Sequence, residues 1–506
     1  MESRRTNGHM ATGRLKRRAL LRGAAGGALG LAGLALLAAC GGTTTATITS
    51  GGAAASSAPS VAPSSAPTTG AAPTAARAAT AASGTGAAGA TPSAGAGAGP
   101  GGFTTALQVK GDVEIEYWQY QFDSKVALVN QLIPEFQQAN PKIKVKQVNF
   151  PYDDFRQKFA AAIQAGEGPD VINVYYGWLP VYVQQKVLLP LPADAFGAST
   201  IEGAFFPMVK TAAFGGQYYA LPTAVRTLAL FYNKDLIGGA GKQAPKTWDE
   251  FVDVAKVTTK RNGDKLEIEG TTYDPGGQGH QWWRECLNRQ NGLLPMSDDH
   301  KKLFWSDPKG VEAFSWYMDL IKKHKVCENG FDTDGATAFQ KGHAALHIDG
   351  SYRISTYTKN APNLNYGIAP LPPKTSGGTK ATYASYWCNA ITRKAQGDKA
   401  IAAAKFIDFL ASPDVMRRWT PAIGELPARQ AVAGEGQFTK DEKLAGFIGQ
   451  LPDSYATFFV DETADRKAVM DAMDAVLLNN VDPKQAVTEA QDQVQQLLDT
   501  YWASAK

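Results

Sequence analysis

The chain has 506 residues, 44% hydrophobic and 19% charged, too polar for a multi-pass membrane protein and too apolar for a disordered one. Its 51 Lys and Arg outnumber its 47 Asp and Glu for a net +4, yet seven of the basic residues and one acid fall in the first 39 positions, and without that segment 44 bases face 46 acids, net −2. A near-neutral chain gives little reason to expect a clustered basic face for nucleic acid, and its length allows two or three domains.

The first 39 residues read as an export signal: a basic stretch ending in Lys16, Arg17 and Arg18, an uncharged Ala/Gly-rich run from Gly23 to Ala39, and a small-residue exit. That run is too short and too weakly apolar for a stable membrane span. The string KRRALLR resembles the twin-arginine export motif at Arg17, Arg18, Leu20 and Leu21, departing from it at Lys16 and at Leu20; general secretion stays open. Leu37-Ala38-Ala39-Cys40 resembles a bacterial lipobox, which implies cleavage before Cys40, lipidation of its sulfur and anchoring to the outer face of the cell membrane. One acyl chain holds a protein marginally, two or three hold it lastingly.

From residue 40 to 102 the composition is almost wholly Ala, Gly, Ser, Thr and Pro, with Arg77 the single charge. Such a segment buries too little apolar surface to offset the entropy of ordering, so a disordered tether spanning about 40 Å is expected.

At residue 103 the pattern changes to strands alternating with amphipathic helices. VEIEYW (113–118) alternates as a strand, and residues 125–138 form a helix with Val126, Val129, Leu132, Ile133 and Phe136 on one face. IKVKQVNF (143–150) is a second strand, 152–165 a second helix, and DVINVYY (170–176) a buried β-branched strand. This alternation marks a parallel sheet in an α/β unit, whose ligands sit outside the carboxyl ends of the strands. That edge carries Trp118, Gln119, Tyr120, Tyr175, Tyr176 and Trp178, whereas Asp170 reads as a group orienting the strand end. Of the remaining cysteines, Cys286 with Cys327 is the favoured disulfide for an exported protein, three buried thiols with Cys388 being the alternative.

Several strings then occur in one order: PEFQQANPKIKV (134–145), AGEGPDV (165–171), YALPTAVRTLALFYNKDL (219–236), PKTWDEF (245–251), FQKGHAALHIDGSY (339–352), IAPLPP (368–373), AAKFIDFLASPDV (403–415) and GELPAR (424–429). In this order the chain from about 110 to 506 resembles the sugar-binding group of the extracellular solute-binding proteins of ABC transporters, the group of maltose-binding protein. The resemblance implies an α/β, two-lobed periplasmic-binding-protein-like clamp with three interlobe crossings, near 221–230, 383–394 and 424–430. It divides the chain into an N-lobe of 103–222 plus 391–426 and a C-lobe of 229–385 plus 430–506. It also implies a monomer that closes on its ligand and is read by the permease subunits of an ABC transporter.

A sugar offers a C–H face to aromatic rings and a rim of hydroxyls to carboxylates, amides and Arg. The sequence supplies the rings at Trp118, Tyr120, Tyr175, Tyr176 and Trp178, and at Tyr386 and Trp387 in the second crossing. By resemblance, Trp282 and Trp283 of QWWREC fall where the family carries a stacking aromatic, and Tyr352 of DGSY where many relatives carry a Trp. Arg226 and Arg429 lie in crossings, where a buried guanidinium needs a ligand oxygen or a carboxylate such as an interlobe partner. Gln119, Asp123 and Asp349 complete the candidate rim.

No catalytic residue, metal or cofactor is expected. His343 and His347 are spaced i,i+4 but on a strand and without the Glu of a zinc helix. FDTDGATAFQK fits an EF-hand at Asp332, Asp334 and Gly335 but fails at Gly330 and Lys341. Two distant carboxylates leave no local signature, so a secreted glycoside hydrolase is the alternative class, beside a binding protein for a non-sugar solute such as glycerol-phosphate and an adhesive surface lipoprotein.

Overall fold

Alternating apolar residues make β1 (Val113–Tyr120) and β2 (Ile143–Phe150), which pair in parallel from Val113–Ile143 to Tyr120–Phe150. β1 pairs in parallel on its other side with β3 (Val171–Tyr175). The parallel pairing demands crossovers, and α1 (Asp123–Ala139) and α2 (Tyr152–Gln164) provide them. The structure, a computed structural model, describes residues 102–504. The expected export signal, Cys40 and the tether to residue 101 lie outside the described residues. The expected helix face is largely observed, with Leu128 and Lys125 buried and Val126 only half-buried. Burying Val171, Ile172 and Val174 completely stabilises the sheet by roughly 1.5–3 kcal/mol per side chain.

Two long strands carry the chain from one half of the sheet to the other. β4 (Ala220–Asn233) runs antiparallel to β9 (Thr382–Thr392) over Ala220–Thr227, then continues beside β7 (Ala344–Gly350) over Leu228–Tyr232. With β5 (Lys260–Asn262) and β6 (Lys265–Thr271), the sheet order is β2-β1-β3-β9-β4-β7-β6-β5. β8 (Tyr366–Ala369) and β10 (Leu426–Pro427) also pair with β4.

Apolar side chains divide into two cores. One gathers Ile115, Val129, Phe136, Val171 and Phe406, the other Phe251, Trp283, Phe314, Leu346 and Val469. Where β4 passes between them, period-two alternation sends Leu228 and Leu230 to the second core and Ala229 and Phe231 to the first.

Helix ends place the residues that matter later. After α3 (Asp398–Leu410), Ser412 caps α4 (Pro413–Ile423) by accepting from the Val415 N–H, with Pro413 in the first turn. Gly424 ends α4 at φ +84°, a left-handed stop that turns the chain so that Glu425 enters the interior. Asp461 caps α5 (Glu462–Leu478), accepting from Thr463 and Ala464, and α6 (Pro483–Ser504) packs beside it on the second core.

The expected Cys286–Cys327 disulfide is not formed: Cys286, Cys327 and Cys388 are free and buried. The thiols occupy different neighbourhoods, Cys286 against Thr382 and Tyr383 and Cys327 against Glu269 and Glu328. Burial pushes both thiols up, so neither is a thiolate at neutral pH. All three are expected to resist alkylation in the native protein and to react in denaturant, read by mass spectrometry; rapid native labelling of any of them contradicts this packing.

Candidate functional site

The carboxyl ends of β1 and β3, the middle of β4 and β9 and the first turn of α5 converge on a cleft of about 550 Å³. Trp387 is the centre of its aromatic side. Its ring centroid lies 4.2 Å from Tyr120, 5.3 Å from Trp178, 6.0 Å from Tyr175 and 6.1 Å from Tyr152. Tyr120 and Tyr175 end their strands, and Trp387 pairs across the ladder with Tyr175, so sheet register alone sets these rings side by side.

Arg226 projects from β4 beside them. Its Nε donates to Glu425 Oε1 at 2.6 Å and Nη2 lies 2.5 Å from the same oxygen, while Lys125 Nζ approaches it at 2.9 Å. Trp419 Nε1 donates to Oε2 at 2.8 Å, and Lys125 also faces the rings of Tyr120, Phe122 and Trp419 at 5.2, 5.6 and 5.8 Å. Burial favours a neutral Glu425, but Arg226, Lys125 and the Trp419 hydrogen bond together outweigh it and hold the carboxyl down at about 2.

Tyr352, just past the end of β7, also lines the cleft and is fixed from behind. Its hydroxyl donates to Asp349 Oδ1 at 2.5 Å and receives Gln278 Nε2 at 3.2 Å, while the Arg226 guanidinium lies 5.3 Å from its ring. Asp349 also accepts from Arg353 Nε at 2.7 Å and the Gly350 N–H at 2.7 Å. Burial opposes its charge, yet His347 and Arg353 hold its carboxyl below the usual carboxylate range. Where the two cores meet, the Tyr383 hydroxyl lies 2.9 Å from that of Tyr175 and 3.2 Å from that of Tyr176. Burial, opposed by these hydrogen bonds, pushes Tyr383 up to about 12. His280 shares a 2.9 Å hydrogen bond through Nδ1 with the Pro275 carbonyl; burial, then Arg284 and Arg466, keep the ring neutral at pH 7. From α5, Glu462 and Arg466 line the same cleft.

Of the candidates read from the sequence, the structure brings together Tyr120, Tyr175, Trp178, Arg226, Tyr352 and Trp387. The others do not line the cleft. Trp118 packs on Phe150 at 4.6 Å and donates to Glu116, Gln119 is buried in the sheet, and Asp123 is exposed and accepts from Gln121. Tyr176 and Tyr386 stack on each other at 4.9 Å behind the cleft wall, Tyr386 sharing a 2.7 Å hydrogen bond with Thr211. Trp282 and Trp283 are corrected to core residues: Trp282 packs on Phe251 and Tyr317, Trp283 on Trp305 and Phe314. Asp349 acts through Tyr352 and Arg353. Arg429 donates Nε to the Ala411 carbonyl at 2.8 Å and stacks on Phe103 and Phe205, away from the cleft. Asp170 orients the strand end as expected, accepting from the Glu116 N–H at 2.9 Å.

Sequence reasoning missed Lys125, Glu425, Gln278, His280, Tyr383, Glu462 and Arg466. Lys125 had a signal, since a Lys on the apolar face of α1 needs a partner; the rest are assembled only by the fold.

Residues 131–446 match the family model described as bacterial extracellular solute-binding protein. The chain is 24% identical over 357 residues to the maltotriose-binding protein of Pyrococcus abyssi, covering 68% of this chain and 73% of that one. It is 26% identical over 431 residues to the sn-glycerol-3-phosphate-binding periplasmic protein of Salmonella typhimurium, covering 78% and 94%. Among solved structures, the cyclic alpha-maltosyl-1,6-maltose binding protein of Arthrobacter globiformis is similar in fold at a TM-score of 0.68 and 21% identity, over 77% of this chain and 100% of that one.

Proposed function

The chain belongs to the bacterial extracellular solute-binding protein family, and we propose that it is a receptor that binds a sugar or oligosaccharide without turnover and delivers it to an ABC import permease. The observation that carries this reading is the cleft itself: rings grouped around Trp387 on one side, and hydrogen-bonding groups from Arg226 to Arg466 on the other. Flat rings cover the C–H face of a pyranose, and the polar groups take its hydroxyls. The names of the maltotriose-binding and maltosyl-maltose-binding relatives support the same ligand class.

The lobes in this reading are 103–222 plus 391–426 and 229–385 plus 430–506. β4, β9 and the segment from Gly424 to Gln430 serve as the crossings, and the shared hydroxyls of Tyr175, Tyr176 and Tyr383 lie where closure is felt. Lipidation at Cys40 holds the receptor at the outer face of the membrane beside its permease. The name of the glycerol-3-phosphate-binding relative supports a second reading, a phosphorylated polyol as ligand.

Titration of the purified chain against neutral mono- to trisaccharides, read by tryptophan fluorescence and calorimetry, is expected to show saturable binding with no product formed. Hydrolysis of a tested glycoside, or silence across sugars with a response to peptides or polyamines, overturns the proposal.

A further inference from the structure

The charges that face the cleft nearly cancel. The charged side chains lining it are Arg226, Glu462 and Arg466. Arg226 is committed to Glu425 through two contacts at 2.5 and 2.6 Å. The remaining positive charge of that cluster sits on Lys125, whose side chain is 2% exposed and stands behind the rings of Tyr120 and Phe122. Behind Tyr352, Arg353 is matched by Asp349, and deeper still Arg284 is matched by Asp465. What is left facing the ligand is one carboxylate and one guanidinium, one helical turn apart on α5.

Glu462 is unusual among these groups. Among the described residues its carboxylate has no hydrogen bond and no ion-pair partner, while Arg466 donates to the Gly276 carbonyl. The side chain is half-buried and lines the cleft together with Tyr152, Tyr175 and Tyr383. The capping hydrogen bonds of α5 go to Asp461, so the Glu462 carboxylate is not held by the helix end. A half-buried carboxylate that lines the cleft with no partner among the described residues is open to donors, and a sugar's hydroxyls are donors. A phosphate monoester brings mainly acceptors and close to two negative charges at neutral pH, so the same carboxylate repels it.

We infer that Glu462 is the specificity-determining residue of this cleft, accepting hydroxyls of a neutral polyol and rejecting phosphorylated ones, with Arg466 donating to the same ligand. The inference rests on the solute-binding reading above and decides between its two ligand classes.

The experiment is calorimetric titration of the full chain and of Glu462→Gln with a panel of neutral saccharides that includes maltotriose, and separately with glycerol 3-phosphate. The wild type is expected to bind at least one neutral saccharide tenfold or more tightly than glycerol 3-phosphate. A hydrogen bond to a charged group accounts for about a 10- to 100-fold effect, so Glu462→Gln is expected to lose at least tenfold for the saccharide. It is expected to gain about tenfold for glycerol 3-phosphate while its thermal midpoint stays at the wild-type value. A wild type that prefers glycerol 3-phosphate overturns the inference and leaves the second ligand class standing. Saccharide binding that Glu462→Gln leaves unchanged overturns it while the sugar-receptor proposal survives, and a wild type silent to both ligand classes sinks that proposal as well.

Discussion

Glu425→Ala is expected to destabilise the folded chain by about 3–5 kcal/mol, the range for removing one partner of a buried ion pair. The loss is large because one carboxylate serves three donors. Without it, the buried Lys125 ammonium is left facing the half-buried Arg226 guanidinium, both of which stand within 2.9 Å of the same Glu425 oxygen, and Trp419 Nε1 loses its acceptor. The pH dependence has a defined sign. A carboxyl held at about 2 against an ordinary 4.5 contributes stability that is fully present above pH 4.5 and is lost as pH falls toward 2. That difference corresponds to about 3 kcal/mol. Urea unfolding between pH 2 and 7 should therefore show a lowered midpoint at neutral pH and a flatter acid limb in the variant, and Lys125→Met in the same background should restore part of the loss. Equal midpoints for variant and wild type at pH 7 would mean that the three-way pairing has no energetic weight.

Trp387→Ala is expected to weaken ligand binding about 30- to 1000-fold, the effect of truncating an aromatic hot spot worth about 2–4 kcal/mol. Trp387 is the ring that Tyr120, Tyr152, Tyr175 and Trp178 all contact, so its removal opens the side of the cleft on which a pyranose face would rest. The same packing makes the substitution costly to the fold, by about 3 kcal/mol or more. Trp387→Phe separates the two effects, because a smaller ring keeps most of the packing while offering less surface to a ligand. Calorimetry on folded protein is the measurement. Affinity unchanged in both variants would place the ligand elsewhere.

Most of the cleft's rings were legible in the sequence, but of its charged groups only Arg226 was. Tyr120 and Tyr175 fall at the carboxyl ends of alternating strands, a position that periodicity gives within a residue or so and that open α/β sheets assign to ligands. Trp387 came from the second crossing, where the resemblance put it and where β9 carries it. Trp282 and Trp283 show the limit of this reasoning. An aromatic pair is equally suited to a cleft and to a core, and only the enclosing Phe251, Trp305, Phe314 and Tyr317 decide for the core. Arg226 and Arg429 were equivalent in the sequence, each a guanidinium in a crossing. Arg226 met Glu425 at the cleft, whereas Arg429 turned to the Ala411 carbonyl and the rings of Phe103 and Phe205.

Sequence by itself determined what depends on neighbours along the chain: the alternation of strands and helices from residue 113, and an ordered set of strings specific enough to indicate a family. Tertiary structure alone decided which charges meet. Lys125 and Glu425 lie 300 residues apart, Arg226 and Glu425 nearly 200, and Glu462 lines the same cleft as Tyr152 from the far end of the chain. Electrostatic pairing depends on distance in space and on burial, and neither quantity is written in the local pattern of residues. Hydrophobic periodicity fixes which face of an element turns inward; the partner that face finds, and so whether a carboxylate is committed to the fold or left open to a ligand, is fixed only when the elements have packed.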